Sequence, residues 1–324
     1  MKELVIKKNE EGLTLNKYFK KVFANMSLAT YHKLLRKKYF EVNGIKAKGS
    51  EVLITGDIIR IFLSDDTYNS FLSNRTNERK NIRLKAMSCS VADRIIYEDE
   101  QIILYNKEVG LLSHGDKSND ESVNTILNDY LGIRNNNTAF VPSVVNRLDR
   151  NTSGIIIFAK NYVAAREISK MIKDNKIEKH YLALVNGKLE KDNDRLINLF
   201  KKDEATNKAI IKEYKNKLID GYSKVELVYK VLKEYNEYTL LDVKLVTGKS
   251  HQIRAQLSYI GHPIVCDKKY MNTDLYKKNI KNYKSKTQKL SCYKIKFSHF
   301  EAEPLKHLSN KEFKIDVKNF ILEY

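Results

Sequence analysis

The stretch that most limits what this chain can fold into runs from Val144 to Lys160 and reads VVNRLDRNTSGIIIFAK. Its second half, from Gly154 to Ala159, is apolar without interruption, and at that length it reads as a short buried strand. Directly before it stand Arg147, Asp149 and Arg150, so the chain enters its own interior beside charge. A nearby guanidinium favours an ionised carboxyl and can lower its pKa by about 1–3. Asp149 is therefore open to two readings. It is half of a structural arginine–aspartate pair, or an acid kept ionised so that it can attack.

At 324 residues the chain exceeds one ordinary core, and two domains are expected. The first spans 1–63. Leu15, Tyr18, Phe19, Val22 and Phe23 recur at helical spacing behind Thr14, a plausible N-cap. Ser27 can cap a second helix whose apolar residues are Leu28, Tyr31, Leu35 and Tyr39. Its other side carries Lys33, Arg36, Lys37 and Lys38, a basic stripe. Short strands follow, with turns at Asn43-Gly44 and Gly56-Asp57. Residues 64–93 are polar and aperiodic and read as a linker. From 94 to 324 apolar strands and helices alternate without regular βαβ order, an α+β pattern.

The chain holds 59 Lys+Arg against 40 Asp+Glu, a formal charge of +19. Such an excess suits a polyanionic partner, nucleic acid above all, although a solvated lysine-rich surface would give the same count. Three cysteines, Cys89, Cys266 and Cys292, form neither a CxxC pair nor a disulfide framework and suit a reducing compartment. The N-terminus has no apolar signal region, and no apolar run approaches the roughly 20 residues that span a bilayer. A cytoplasmic protein without membrane contact is expected. Motifs for phosphate loops, dinucleotides, zinc proteases and serine hydrolases are missing, so neither cofactor nor metal has sequence support. Acid, base and nucleophile work by ordinary side chains remains.

Two further segments bear on that chemistry. In TGKSHQIRAQ, His251 and Arg254 share one helical face beside an apolar stripe of Ile253, Leu257 and Ile260. Arg254 then lies at the edge of the buried face, either snorkelling to solvent or reaching an internal acid. In KHYLALVNG, Tyr181 opens an apolar strand and is either core or a ring that stacks on a base.

Together these segments resemble the RluA/RluC family of RNA pseudouridine synthases. VNRLDRNTSGIIIFA is similar to its signature, IIYEDEQIILYNKEVGLLSHG to its NKPxG strand pair, and LVTGKSHQIRAQLSYIGHPIVCD to its HQIR segment. The first 63 residues resemble an S4 RNA-binding domain. This chain departs from the pattern at Asn146, Glu108, Gln256 and Cys266, where histidine, proline, histidine and glycine are commoner. Glu108 in place of proline is expected to loosen its turn.

The resemblance implies a small S4-like domain beside a larger, mixed but mainly antiparallel catalytic sheet with flanking helices. It implies isomerisation of uridine to pseudouridine in RNA, without cofactor or metal; a monomer is expected. Ribosomal RNA of the large subunit is favoured; transfer RNA, or a non-catalytic RNA-binding assembly factor, is the alternative. Asp149 would initiate cleavage, Arg254 would hold it, and Tyr181 would pack on the flipped base or act as a base. Arg147 would contact RNA as wedge or phosphate ligand, with His251 also at the substrate. Lys33, Arg36, Lys37 and Lys38 would bind backbone phosphates.

Overall fold

A computed structural model describes residues 1–72, 90–115, 121–133, 138–283, 285–316 and 320. The N-terminal unit contains β1 (Lys2–Val5), α1 (Leu15–Val22), α2 (Leu28–Arg36), β2 (Phe40–Val42), β3 (Ile45–Lys46), β4 (Ile58–Ile61) and α3 (Asp65–Phe71). Thr14 and Ser27 cap α1 and α2 as expected, each accepting a backbone N–H. The sheet order is β1-β4-β2-β3, with β1 an addition to the expected strands. Phe19, Phe23, Tyr31 and Phe40 fill the core, the rings of Phe19 and Phe40 lying 4.5 Å apart. Leu28, expected on the apolar face of α2, is 65% exposed because it sits in the first turn, one turn ahead of buried Tyr31. The stretch read as a linker begins with a helix instead. Ser64 caps α3, and Tyr68, Phe71 and Leu72 pack on the same core. Residues 73–89 lie outside the described residues.

The second unit contains β5 (Ile95–Glu98), β6 (Ile102–Lys107), α4 (Val123–Tyr130), β7 (Ser143–Val144), β8 (Ser153–Ala159), α5 (Tyr162–Lys173) and β9 (Ile177–Asn186). It continues with β10 (Asn193–Asp203), β11 (Lys208–Glu213), β12 (Ser223–Glu234), β13 (Tyr238–Leu245), α6 (Gln252–Tyr259), α7 (Thr273–Tyr283), β14 (Leu290–Phe297) and β15 (Glu312–Lys314). Its sheet runs β11-β10-β12-β13-β9-β14-β8-β6-β5, with β15 on β14 and β7 on β8. Every described pairing is antiparallel except β14 with β8.

Strand alternation explains where the layers go. On β9, Tyr181, Ala183 and Val185 face a core shared with Ala164 and Ile168 of α5 and with Ile253 and Leu257 of α6. Leu182 and Leu184 face the other way, toward Tyr238, Leu240 and Tyr283 of α7. Covering both faces leaves the central strands buried, at roughly 1.5–3 kcal/mol for each large aliphatic side chain removed from water. Among the described residues no helix is long and apolar enough to cross a membrane.

The two units touch. Glu10 is 1% exposed; one carboxylate oxygen accepts the Ala139 N–H at 2.5 Å, the other the Lys7 N–H at 3.0 Å. Asn9 donates to the Phe140 carbonyl at 2.8 Å, and Ala139 and Phe140 are buried in the N-terminal core. Lys17 reaches the Tyr162 hydroxyl, and the Lys21 ammonium lies over the Phe140 and Tyr162 rings.

Candidate active site

Asp149 lies in the turn that feeds β8, and its backbone is held from both sides. The Thr152 N–H donates to its carbonyl at 3.0 Å. One residue earlier, Ser113 Oγ exchanges two hydrogen bonds with the Leu148 backbone. One residue later, the Arg150 carbonyl accepts from the Gly110 N–H and from Lys107 Nζ. Lys107 is fully buried and also donates to the Glu108 and Leu111 carbonyls, so three N–H donors meet three acceptors. Burial drives its ammonium down to about 7, against the pull of Asp149. The turn at Glu108, expected to be loose, is tied by this lysine and by a Glu108–Arg94 ion pair.

The partner of Asp149 comes from α6. Arg254 Nη1 donates to Asp149 Oδ2 at 2.9 Å. The other two edges of the guanidinium are taken by Asp267, Nε to Oδ2 at 2.7 Å and Nη2 to Oδ1 at 2.8 Å. Such a fork is worth more than a single contact because it fixes the plane of the guanidinium. Burial would lower the arginine pKa, but Asp267 and Asp149 outweigh it and raise it. Arg254 was expected at the edge of an amphipathic helix; instead Gln252 through Leu257 are all buried. The polar members are satisfied internally. Gln256 donates to Asn198 Oδ1 at 2.7 Å and accepts from Gln252, which ties α6 to β10.

His251, at the N-cap of α6, stands with its Nε2 3.8 Å from Asp149 Oδ2. Burial lowers its pKa, Asp149 opposes, and Arg254 and Lys269 add to the fall. Together with Asp149 and Arg254 it lines a cleft of about 490 Å³. The other charged groups lining it are Arg150, Lys208, Lys268, Lys269 and Lys286, so cations dominate around one carboxylate. Cys266 also lines the cleft at a backbone φ of 61°, which explains why glycine suits this position.

The remaining expected residues are elsewhere. Tyr181 is 5% exposed, does not line the cleft, and lies opposite Cys292 on the neighbouring strand. Burial pushes its phenol well above 10, with Cys292 and Asp149 adding to the rise. Arg147 is exposed and off the cleft, close enough to His114 to help burial lower that imidazole. Lys33, Arg36, Lys37 and Lys38 are exposed on and just after α2 and make no ion pair among the described residues. Sequence reasoning passed over Asp267, Lys107, Tyr270 and the cleft lysines. The available signals were a carboxylate closing the apolar run GHPIVCD and a lysine closing the apolar strand before Glu108.

Known proteins resemble the chain in sequence and in fold. Residues 101–259 match the family described as RNA pseudouridylate synthase. The chain is 31% identical over 265 residues to ribosomal large subunit pseudouridine synthase C of Rickettsia bellii, covering 81% of this chain and 83% of that one. It is 32% identical over 232 residues to ribosomal large subunit pseudouridine synthase D of Borreliella burgdorferi, covering 70% and 68%. An uncharacterized RNA pseudouridine synthase of Mycoplasma capricolum matches at 27% identity over 96% of both chains. In fold, the solved structure of human RNA pseudouridylate synthase domain containing 4 superposes with a TM-score of 0.56 at 17% identity, covering 72% of this chain and 92% of that one. Identity of 31% over most of both chains with a ribosomal large subunit pseudouridine synthase, together with the family match over residues 101–259, makes the chain a member of the RNA pseudouridylate synthase family.

Proposed function

We propose that the chain converts uridine to pseudouridine in the RNA of the large ribosomal subunit, in the cytoplasm, with Asp149 starting the reaction. The observation that carries this is the Asp149–Arg254 pair at 2.9 Å inside a cleft ringed by Arg150, Lys208, Lys268, Lys269 and Lys286. A stacked uridine cannot enter such a cleft, so the nucleotide is flipped into it at the cost of unstacking. The ring of cations meets the phosphates on either side. The N1–C1′ bond breaks, the uracil turns, C5 bonds to C1′, C5 loses its proton and N1 gains one. No atom is added, so the reaction balances without a co-reactant. The named relatives that act on the large ribosomal subunit favour ribosomal over transfer RNA.

Arg254 keeps the carboxylate pointing into the cleft. Tyr181 supports the site from behind the cleft, beside Cys292, and stays a phenol, because a group titrating well above 10 holds its own proton at neutral pH. Turnover that climbs tenfold per pH unit up to pH 10, and stops doing so in Tyr181→Phe, would instead make it a base. The first 72 residues form the S4-like unit whose stripe, Lys33, Arg36, Lys37 and Lys38, tracks RNA phosphates; Arg147 adds one more contact outside the cleft.

The test is a map of pseudouridine in ribosomal and transfer RNA from cells carrying wild type, Asp149→Asn or no copy of the gene. Specific large-subunit sites are expected to vanish in the last two. In vitro, Asp149→Asn should lower turnover by roughly 10³-fold or more while RNA affinity stays within about twofold. Sites that persist without the gene, or that fall in transfer RNA alone, refute the reading.

A further inference from the structure

Tyr270 follows Asp267 by three residues, and every part of its side chain is engaged. The ring lies 5.2 Å from the Arg254 guanidinium carbon. The phenol oxygen accepts the Ala209 N–H of β11 at 2.7 Å. The same oxygen is 3.1 Å from His251 Nδ1. Ser258 Oγ anchors the backbone by donating to the Tyr270 carbonyl at 2.6 Å.

A phenol has a single hydrogen to give. With the Ala209 N–H occupying an acceptor position, that hydrogen is directed to His251 Nδ1. Nδ1 can accept it only when the imidazole proton resides on Nε2. The opposite tautomer would aim a second N–H at the phenol oxygen and leave the phenol hydrogen without a protein partner. Tautomers follow from such networks. His251 itself sits in the left-handed region, at φ 58°. Its Nε2, at 3.8 Å from Asp149 Oδ2, is too far for a direct hydrogen bond and looks into the cleft.

The geometry points to Tyr270 as a positioning residue that fixes His251 in the Nε2–H tautomer, so that His251 presents one directed N–H donor beside Asp149 to an oxygen of the reacting ribose. This rests on the function proposed above. It also ties the wall of the cleft to its floor: the hydroxyl that orients His251 is the one that holds β11, whose first residue is Lys208. The groups facing His251 are Asp149, Arg254, Lys269, Asp267 and Tyr270. Burial keeps the ring neutral into mildly acidic solution. A second proton would have to sit on Nδ1, displace the phenol hydrogen and draw the imidazolium onto Asp149. Turnover is therefore retained above the lowered pKa of His251 and lost as pH falls through it, below the ordinary 6.5.

The experiment uses the full chain with ¹⁵N-labelled histidine and a short RNA hairpin. Nitrogen NMR of the free protein should show His251 protonated on Nε2; protonation on Nδ1 overturns the inference, whatever the activity. Tyr270→Phe keeps the ring and removes the hydroxyl, and should mix the tautomers and lower kcat roughly tenfold with KM changed less than about threefold. His251→Gln, whose amide nitrogen can reach the Nε2 position, should stay within about fivefold of wild type, while His251→Asn falls as far as His251→Ala. In the Gln background Tyr270→Phe should have little further effect, and the acid limb of kcat should move down. An undiminished effect of Tyr270→Phe there would show that the hydroxyl works through the Ala209 N–H and β11, and would sink the assignment. An inactive wild type refutes the proposed reaction but leaves the tautomer spectrum to decide this point.

Discussion

Arg254 is the residue on which the site turns, because its three nitrogens serve two carboxylates in fixed shares. Two edges belong to Asp267 and the third to Asp149. Asp267→Asn would put an NH₂ group against one guanidinium N–H and leave a buried charge short of a partner, at a cost of about 1–3 kcal/mol. The expected outcome is a kcat lowered roughly 10- to 100-fold with a smaller change in KM, measured on a short RNA; an unchanged kcat would show that Arg254 needs no such support. At this scale the sequence was legible where spacing carries meaning. Arg-Leu-Asp before an apolar run, and His and Arg three apart, marked Asp149, Arg254 and His251 as candidates, and the family resemblance chose between the readings that spacing left open. It was silent on Asp267 and Lys107, whose roles exist only once distant turns meet. A buried lysine serving three backbone carbonyls has no periodicity to betray it.

Elements were legible in proportion to how cleanly their pattern alternates or how clearly they are capped. The helices begun by Thr14 and Ser27 were read from their caps, and β8 and β9 from apolar runs. Strands β10 to β12 were not separated, because lysines sit on both of their faces, as at Lys201 and Lys202. α6 was read as amphipathic because Gln252, Arg254 and Gln256 look polar, yet all three find partners inside the protein. The parallel joint of β8 with β14 could not be foreseen, and it depends on one residue. Gly154 has a φ of 111°, and a Cβ there would lie 2.2 Å from the Cys292 carbonyl oxygen. Gly154→Ala should therefore force β14 away from β8, lowering the unfolding midpoint by roughly 5–10 °C in a thermal scan. A midpoint unchanged within 1 °C or so would mean that the joint yields freely.

For the molecule as a whole, part of the +19 charge lies around the cleft and part on the N-terminal unit. The basic stripe is exposed and free of ion pairs among the described residues, so its neutralisation tests binding without disturbing the core. Replacing Lys33, Arg36, Lys37 and Lys38 by serine should weaken binding to long ribosomal RNA. The slope of log affinity against log salt should fall by about 3, at roughly 0.7–0.9 per phosphate released, with turnover on a short hairpin unchanged. A slope that does not move would remove the stripe from the RNA path. Cutting away the N-terminal unit is a poorer test, since it would strip the cover from Ala139 and Phe140.

The buried carboxylate of Glu10 bears on how freely such chains can trade parts. A unit hung on a tether can be swapped like a cassette. This one hands an acceptor to Ala139 and takes Phe140 into its own core, and the segment they belong to runs on into the Asp149 turn. Any foreign module grafted here would have to offer the same carboxylate and the same apolar socket. In this chain the N-terminal unit and the catalytic sheet have been cut to fit one another, and they would have to be exchanged, or evolve, as a matched set.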